Sequence, residues 1–195
     1  YRLARQMANA YREIFGEDFY LEIMLHPSRE PKHSDTVEKQ LKVMVALMRL
    51  HLEMGIPLVV TNDVHFLRKQ DSDVHYILCV STGKKWNDAD RWTYTHEEYF
   101  KSEEEMRAAF ATMYTQAAQA YMRVGNLDPG PAGPSGQAVP HELAEDEYMR
   151  MVTEGMLNSQ RIADSVAEYK LDRDPVMPDF AVPEPFPDEK TYLRH

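Results

Sequence analysis

The chain has 195 residues and a mass of 22.7 kDa, enough to bury the core of about one domain. Its 22 Lys and Arg against 32 Asp and Glu leave a formal net charge of -10, which excludes a general electrostatic grip on a phosphate backbone by this stretch alone. Hydrophobic residues at 43% exclude wholesale disorder, the single Cys79 excludes a disulfide framework or a cysteine-based zinc finger, and no apolar run is long enough for a membrane span. No signal peptide pattern opens the chain, so the expected setting is reducing and cytoplasmic. The sequence starts at Tyr1, without Met and inside a helical pattern, which predicts a piece of something larger.

Leu3, Met7, Tyr11 and Ile14 fall at helical spacing ahead of Gly16. Phe19, Leu21, Ile23 and Leu25 then alternate with Tyr20, Glu22 and Met24, predicting a strand with one apolar face. Residues 26–34, with Pro27 and Pro31, read as a loop. From Asp35 to Met54 the positions Val37, Leu41, Met44, Met48 and Leu52 step by three and four, and Gly55 stands at the expected stop. The run Ile56–Val60 follows, apolar throughout and β-branched at three positions, as in a strand buried on both faces. Strand, helix and buried strand make a βαβ unit, so the local fold class is α/β with parallel strands.

Asp71–Val80 is a helix candidate with Val74, Ile77 and Leu78 on one face, and 91–95 is a short candidate strand. Ser102 and Glu105 form a capping box ahead of Met106, Ala109, Phe110 and Met113, in a helical pattern that fades near Tyr121. Residues 125–140 hold four of the eight glycines and four of the twelve prolines and read as a flexible insertion or linker. Helical periodicity returns over about 142–168 through Met149, Val152, Met156 and Ile162, and after Leu171 the chain is Pro-rich.

The sharpest local signal is Thr61-Asn62-Asp63-Val64-His65, directly after the second strand. The carboxyl ends of parallel strands are where α/β folds bind ligands. In an extended segment Asp63 and His65 would point to one side, where a carboxylate oxygen and an imidazole nitrogen can share a divalent ion. The plainer alternative stays open: Asn-Asp is a common turn sequence, and His65 could simply bind a loop. His26, four residues after Glu22, is a weaker ligand candidate or a loop residue. His75 reads as a partly buried residue or cap, Cys79 as a small buried hydrophobe, and Lys84, Lys85, Trp86, Arg91 and Trp92 as a basic-aromatic cluster facing a neighbouring domain or plain surface. No Walker-type phosphate loop, Gly-x-Ser-x-Gly elbow or His-Glu-x-x-His helix is present.

Residues 55–67 (GIPLVVTNDVHFL) and 73–84 (DVHYILCVSTGK) closely resemble the polymerase-and-histidinol-phosphatase (PHP) domain of bacterial DNA polymerase III alpha subunits. The resemblance extends to 15–23, 99–106, 158–166 and 177–183 with Tyr192, Leu193 and Arg194, leaving out roughly 111–150. It implies the latter part of a distorted (β/α)7 TIM-like barrel over 1–124, an insertion at 125–140, the helical end of the domain at 141–170, and a Pro-rich connection toward the polymerase palm at 171–195. Asp63 and His65 match the last metal-binding motif of that family, whose ion would be zinc or manganese, with magnesium serving the palm. The family's earlier ligands, including a His-x-His motif, would lie before Tyr1, and the palm acids after His195. Met24, Leu25, His26 and Pro27 depart from the usual Gln, Arg, His, Gly continuation, which weakens any role for the end of the first strand.

Three functions follow from the resemblance. The first is part of a replicative DNA-directed DNA polymerase, a nucleotidyltransferase whose PHP domain contributes metal-dependent 3'-5' exonuclease or phosphoesterase chemistry. Its parent would meet DNA, deoxynucleotides, a sliding clamp and a proofreading exonuclease, with no membrane. The second is an inactive platform that braces the polymerase and docks the proofreading subunit. The third is a stand-alone PHP phosphatase, which the match at 177–194 argues against.

Overall fold

The computed structural model describes residues 1–28, 30–81, 94–128, 130–172 and 181–195. The basic-aromatic cluster, most of the candidate strand at 91–95 and residues 177–180 of the resemblance lie outside them. Contacts divide the chain into Tyr1–Asp164 and Ser165–His195, each described by itself.

In the first unit, helix α1 (Arg2–Phe15) stops at Gly16, and strand β1 (Leu21–Met24), helix α2 (Ser34–Met54) and strand β2 (Leu58–Thr61) form the expected βαβ unit. The strands pair in parallel with Leu21 opposite Leu58 and Ile23 opposite Val60, and these four side chains are all buried. The expected burial of β2 on both faces holds for one only. Val59 and Thr61 are half-buried, and Thr61 Oγ1 donates to Glu22 Oε1 at 2.7 Å. Val37, Leu41, Met44 and Met48 of α2 enter the core at the predicted spacing, and Gly55 closes the helix in the left-handed region with its amide on the His51 carbonyl.

Helix α3 (Ser72–Ser81) follows, and helix α4 (Glu103–Ala111) starts at the predicted capping box: Glu105 N donates to Ser102 Oγ at 3.2 Å and Ser102 N to Glu105 Oε2 at 2.8 Å. The pattern that fades in the sequence is a separate helix, α5 (Tyr114–Leu127), whose core contacts Ala117, Tyr121, Val124 and Gly125 are mostly small. Gly125, Asn126 and Leu127 thus belong to a helix. Gly125 is a close-approach residue: a Cβ there would stand 2.8 Å from Nη1 of the buried Arg49. Arg49 in turn donates to the Pro140 carbonyl at 3.3 Å, tying the Gly/Pro segment to α2.

Helix α6 (Glu145–Ser165) packs on β2 through Gly155, where a Cβ would stand 2.8 Å from Val60 Cγ2, and through Asn158, whose Nδ2 donates to the Leu58 carbonyl at 2.8 Å. Its buried face is Tyr148, Met151, Val152, Gly155 and Asn158; Met149 and Met156 only flank it. Among the described residues this is a mixed helix and sheet architecture with one two-stranded parallel sheet, and they do not show the partial barrel that the resemblance implies. The described residues of the second unit include a short helix, α7 (Glu189–Tyr192), with Thr191 N donating to the Asp188 side chain at 2.7 Å and Phe186 packed on Tyr192.

Candidate metal centre

The chain leaves β2 through Asn62, and a run at 94–101 comes up beside it. Phe66 and Tyr99 form a parallel bridge, His65 N donates to the Glu98 carbonyl at 2.8 Å, and Phe100 N donates to the Phe66 carbonyl at 3.1 Å. Asp63 and His65 sit on this loop, half and about one-third exposed at the side chain.

The segment is not extended at Asp63, whose φ is 46°. The left-handed backbone is one that Asp tolerates better than most residues. It turns the Asp63 carbonyl toward the imidazole, and His65 Nδ1–H donates to that oxygen at 2.7 Å. The hydrogen bond marks Nδ1 as a proton-bearing nitrogen, so that in the neutral ring the lone pair is on Nε2. The Asp63 carboxylate lies near that same proton-bearing nitrogen, with Oδ2 3.8 Å from His65 Nδ1. The imidazole is packed against Tyr94 at 4.5 Å between ring centroids and against His75 at 5.6 Å, and Tyr94 and His75 stand 4.6 Å apart. Cys79 is half-buried one turn beyond, with Sγ 3.7 Å from His75 Nε2.

His26 is elsewhere committed. It is buried, its Nε2–H donates to the Asn62 carbonyl at 3.0 Å, and its Nδ1 accepts from Gln40 Nε2 at 2.9 Å. With both ring nitrogens engaged it has no lone pair for an ion. Glu22 is engaged by Thr61, so the weaker pair of the sequence reading does not assemble.

Glu98 and Lys101, which the sequence reading passes over, hold the loop together with Asn62, which it names only within the motif and as a turn residue. Glu98 is buried, and its carboxylate accepts from Thr95 N at 3.0 Å, Thr95 Oγ1 at 2.8 Å and Glu97 N at 3.1 Å. Burial works to raise its pKa, but the hydrogen bonds from Thr95 outweigh it, and the net shift is downward. Asn62 Nδ2 donates to the carbonyls of Tyr99 at 2.6 Å and Glu97 at 3.3 Å. The ammonium of Lys101 lies 4.1 Å from the Tyr99 ring centroid, donates to Asn62 Oδ1 at 3.3 Å and to the Glu97 carbonyl, and is only 1% exposed at the side chain. Burial lowers its pKa while Glu97 opposes. A signal for Glu98 exists in Thr95-x-x-Glu98, the capping-box spacing, here closing a turn without a helix behind it.

Among the described residues no three His, Cys, Asp or Glu side chains are placed to hold a metal together. Asp63 and His65 offer at most two donor atoms, one hard oxygen and one imidazole nitrogen, and do not make a metal site by themselves. A cavity of about 1040 Å³ opens between α2 and the α4–α5 pair over Val37, Leu41, Ala109 and Val124; Glu97, Tyr99 and Lys101 of the 94–101 run line it, and neither Asp63 nor His65 does. No described helix is long and apolar enough to cross a membrane.

No family model matches the chain. A DNA polymerase III subunit alpha of Treponema pallidum is 34% identical over 186 residues, 88% of this chain and 15% of that protein. The chain is similar to DNA polymerase III alpha subunits. The Campylobacter jejuni subunit is 35% identical over 113 residues, 57% of the chain and 9% of the relative, and that of Borreliella burgdorferi is 27% identical over 188 residues, 95% and 12% respectively. The chain therefore spans about 15% or less of the length of these relatives.

Proposed function

We propose that this chain is part of a PHP-type domain in a DNA polymerase III alpha-like replicative polymerase, and that Asp63 and His65 supply two ligands of a divalent-metal site completed by residues outside it. The observation that carries the reading is the 34% identity over 88% of the chain to a polymerase alpha subunit. The pairing of an Asp63 carboxylate with a His65 ring whose Nε2 bears the lone pair supports the ligand role. When bound, a divalent ion such as zinc or manganese supplies Lewis-acid activation of water and charge stabilisation at phosphorus, the chemistry of 3'-5' exonuclease or phosphoesterase action. The chain's own share is to hold a carboxylate oxygen and an imidazole nitrogen at one loop, the latter fixed in tautomer by the Asp63 carbonyl. DNA, deoxynucleotides, a sliding clamp and a proofreading subunit are partners of the parent polymerase in this reading, and its setting is cytoplasmic. The segments 1–124, 125–140, 141–170 and 171–195 are then the end of the PHP domain, its insertion, its last helical part and the connection to the palm.

A second reading is a metal-free platform that braces the polymerase and docks a proofreading exonuclease. Metal analysis of the intact polypeptide carrying this chain separates the two. Stoichiometric zinc or manganese that is lost in Asp63→Ala is expected, together with primer extension by the intact protein and neither extension nor cleavage by residues 1–195 alone. Absence of bound metal in the intact polypeptide overturns the hydrolase reading in favour of the platform, and absence of primer extension overturns the polymerase assignment.

A further inference from the structure

The loop that presents Asp63 and His65 is fixed at one residue, Asn62. Its carbonyl accepts from His26 Nε2–H, and the other His26 nitrogen and the His26 amide are both tied to the Gln40 side chain, at 2.9 and 3.0 Å. Its side chain donates to the carbonyls of Tyr99 and Glu97 and accepts from the buried Lys101 ammonium. The chain is therefore gripped on both sides, by the end of β1 through His26 and by the 94–101 run through its backbone, immediately before Asp63 takes its left-handed φ. Asn62 is itself buried, at 9% exposure, and all of its side-chain hydrogen-bonding atoms are engaged. A buried network in which every member is satisfied rigidifies what it holds, and the backbone freedom of a one-residue neighbour is small.

We propose that Asn62, backed by His26 and Lys101, is the positioning residue of the candidate metal centre: it sets the backbone from which Asp63 and His65 present their donor atoms. The inference rests on the ligand reading above. It gives His26 a role that its sequence position left open, as a support one bond removed from the ligands. The buried Lys101 ammonium, paired with the Glu97 carboxylate at 3.4 Å, also donates to the Asn62 amide oxygen and so ties Asn62 to the 94–101 run.

The obvious variant, Asn62→Ala, removes a buried hydrogen-bonding side chain and will cost stability wherever the residue sits, so a matched control is needed. Asn158 provides it: it is also buried, at 2% exposure, and its Nδ2 donates to the carbonyl of Leu58, the first residue of β2, at the end of that strand away from the loop. Co2+ is titrated into the intact polypeptide freed of metal, with the visible spectrum recorded. For Asn62→Ala a weakening on the order of 10- to 100-fold is expected, the range for groups that orient metal ligands, with an altered Co2+ spectrum. For Asn158→Ala a comparable fall in melting temperature with unchanged Co2+ affinity and spectrum is expected. Asn62→Ala with unchanged affinity and spectrum, or Asn158→Ala weakening Co2+ as much as Asn62→Ala, overturns the positioning role. Should Asp63→Ala and His65→Ala both leave Co2+ binding intact, the ligand reading fails first and the inference falls with it, a pattern distinct from failure at Asn62 alone.

Discussion

At the scale of single residues, the loop after β2 depends on a carboxylate that is buried and ionised at once. Glu98 takes three hydrogen bonds from Thr95 and Glu97, and its own carbonyl accepts from His65 N. Lys101, on the same 94–101 run, favours the carboxylate electrostatically. Its folded pKa lies below the ordinary value, so it stabilises the fold fully above the unfolded value of about 4.3 and loses that contribution as pH falls through the lower folded value. Glu98→Gln keeps the shape but sets an amide N–H against the Thr95 or Glu97 amide. The expected outcome in urea unfolding is a variant less stable than the parent at pH 7, with the gap narrowing as pH is lowered through 4 toward 3; a gap independent of pH would reject the ionised form as the source. Asp63 and His65 were legible as a pair because their spacing follows a strand end. The left-handed φ at Asp63 was not, since nothing in Asn-Asp-Val-His distinguishes an extended loop from one turned by a histidine bonding back two residues.

At the scale of elements, legibility followed side-chain size. α2 announced itself through large apolar residues at steps of three and four, and the α4 cap through Ser102 and Glu105. α5 was read as fading because its core contacts include Ala117 and Gly125, which carry almost no hydropathy signal. The same holds for α6, whose contact with the sheet is made by Gly155 and Asn158 rather than by the methionines that mark the periodicity. Close approach is what a glycine there provides, and two effects of a methyl group oppose each other. Gly155→Ala gains roughly 1 kcal/mol of helix propensity. The new Cβ would stand 2.8 Å from Val60 Cγ2 and 3.4 Å from Val60 N. Overpacking of this kind costs about 1–3 kcal/mol, and the backbone contact limits relief by rotation, so the clash wins and the variant is expected to be less stable. Val60→Ala opens the space, and a double-mutant cycle should return a favourable coupling of about 0.5 kcal/mol or more. Additive losses would place the cause outside this contact.

At the scale of the whole molecule, two faces that the periodicity marks as core-forming are open. On α1, Leu3 is 68% and Ile14 69% exposed, with Met7 and Tyr11 nearly half exposed between them; on α3, Val74, Ile77 and Leu78 are exposed as well. An amphipathic helix gains most of its stability by burying its apolar stripe, so α1 is held in this chain chiefly by its other side. There Arg5 Nε donates to the fully buried Glu53 carboxylate at 2.9 Å, and Arg12 donates to the Met54 carbonyl at 2.8 Å. A contiguous apolar surface of this kind is unusual on a free-standing soluble domain and supports the reading of the chain as one part of a larger polypeptide. That reading has a consequence for residues 1–195 by themselves. They should bind 8-anilinonaphthalene-1-sulfonate with a marked rise in fluorescence while retaining a cooperative thermal transition, the combination that separates an open native face from a molten core. Leu3→Gln with Ile14→Gln should lower that fluorescence by about half or more and leave the transition within a few degrees, because neither side chain enters the core. A fall in the melting temperature comparable to that of a core truncation such as Met48→Ala would mean that the α1 stripe is covered within the chain, and the argument from its exposure would fail.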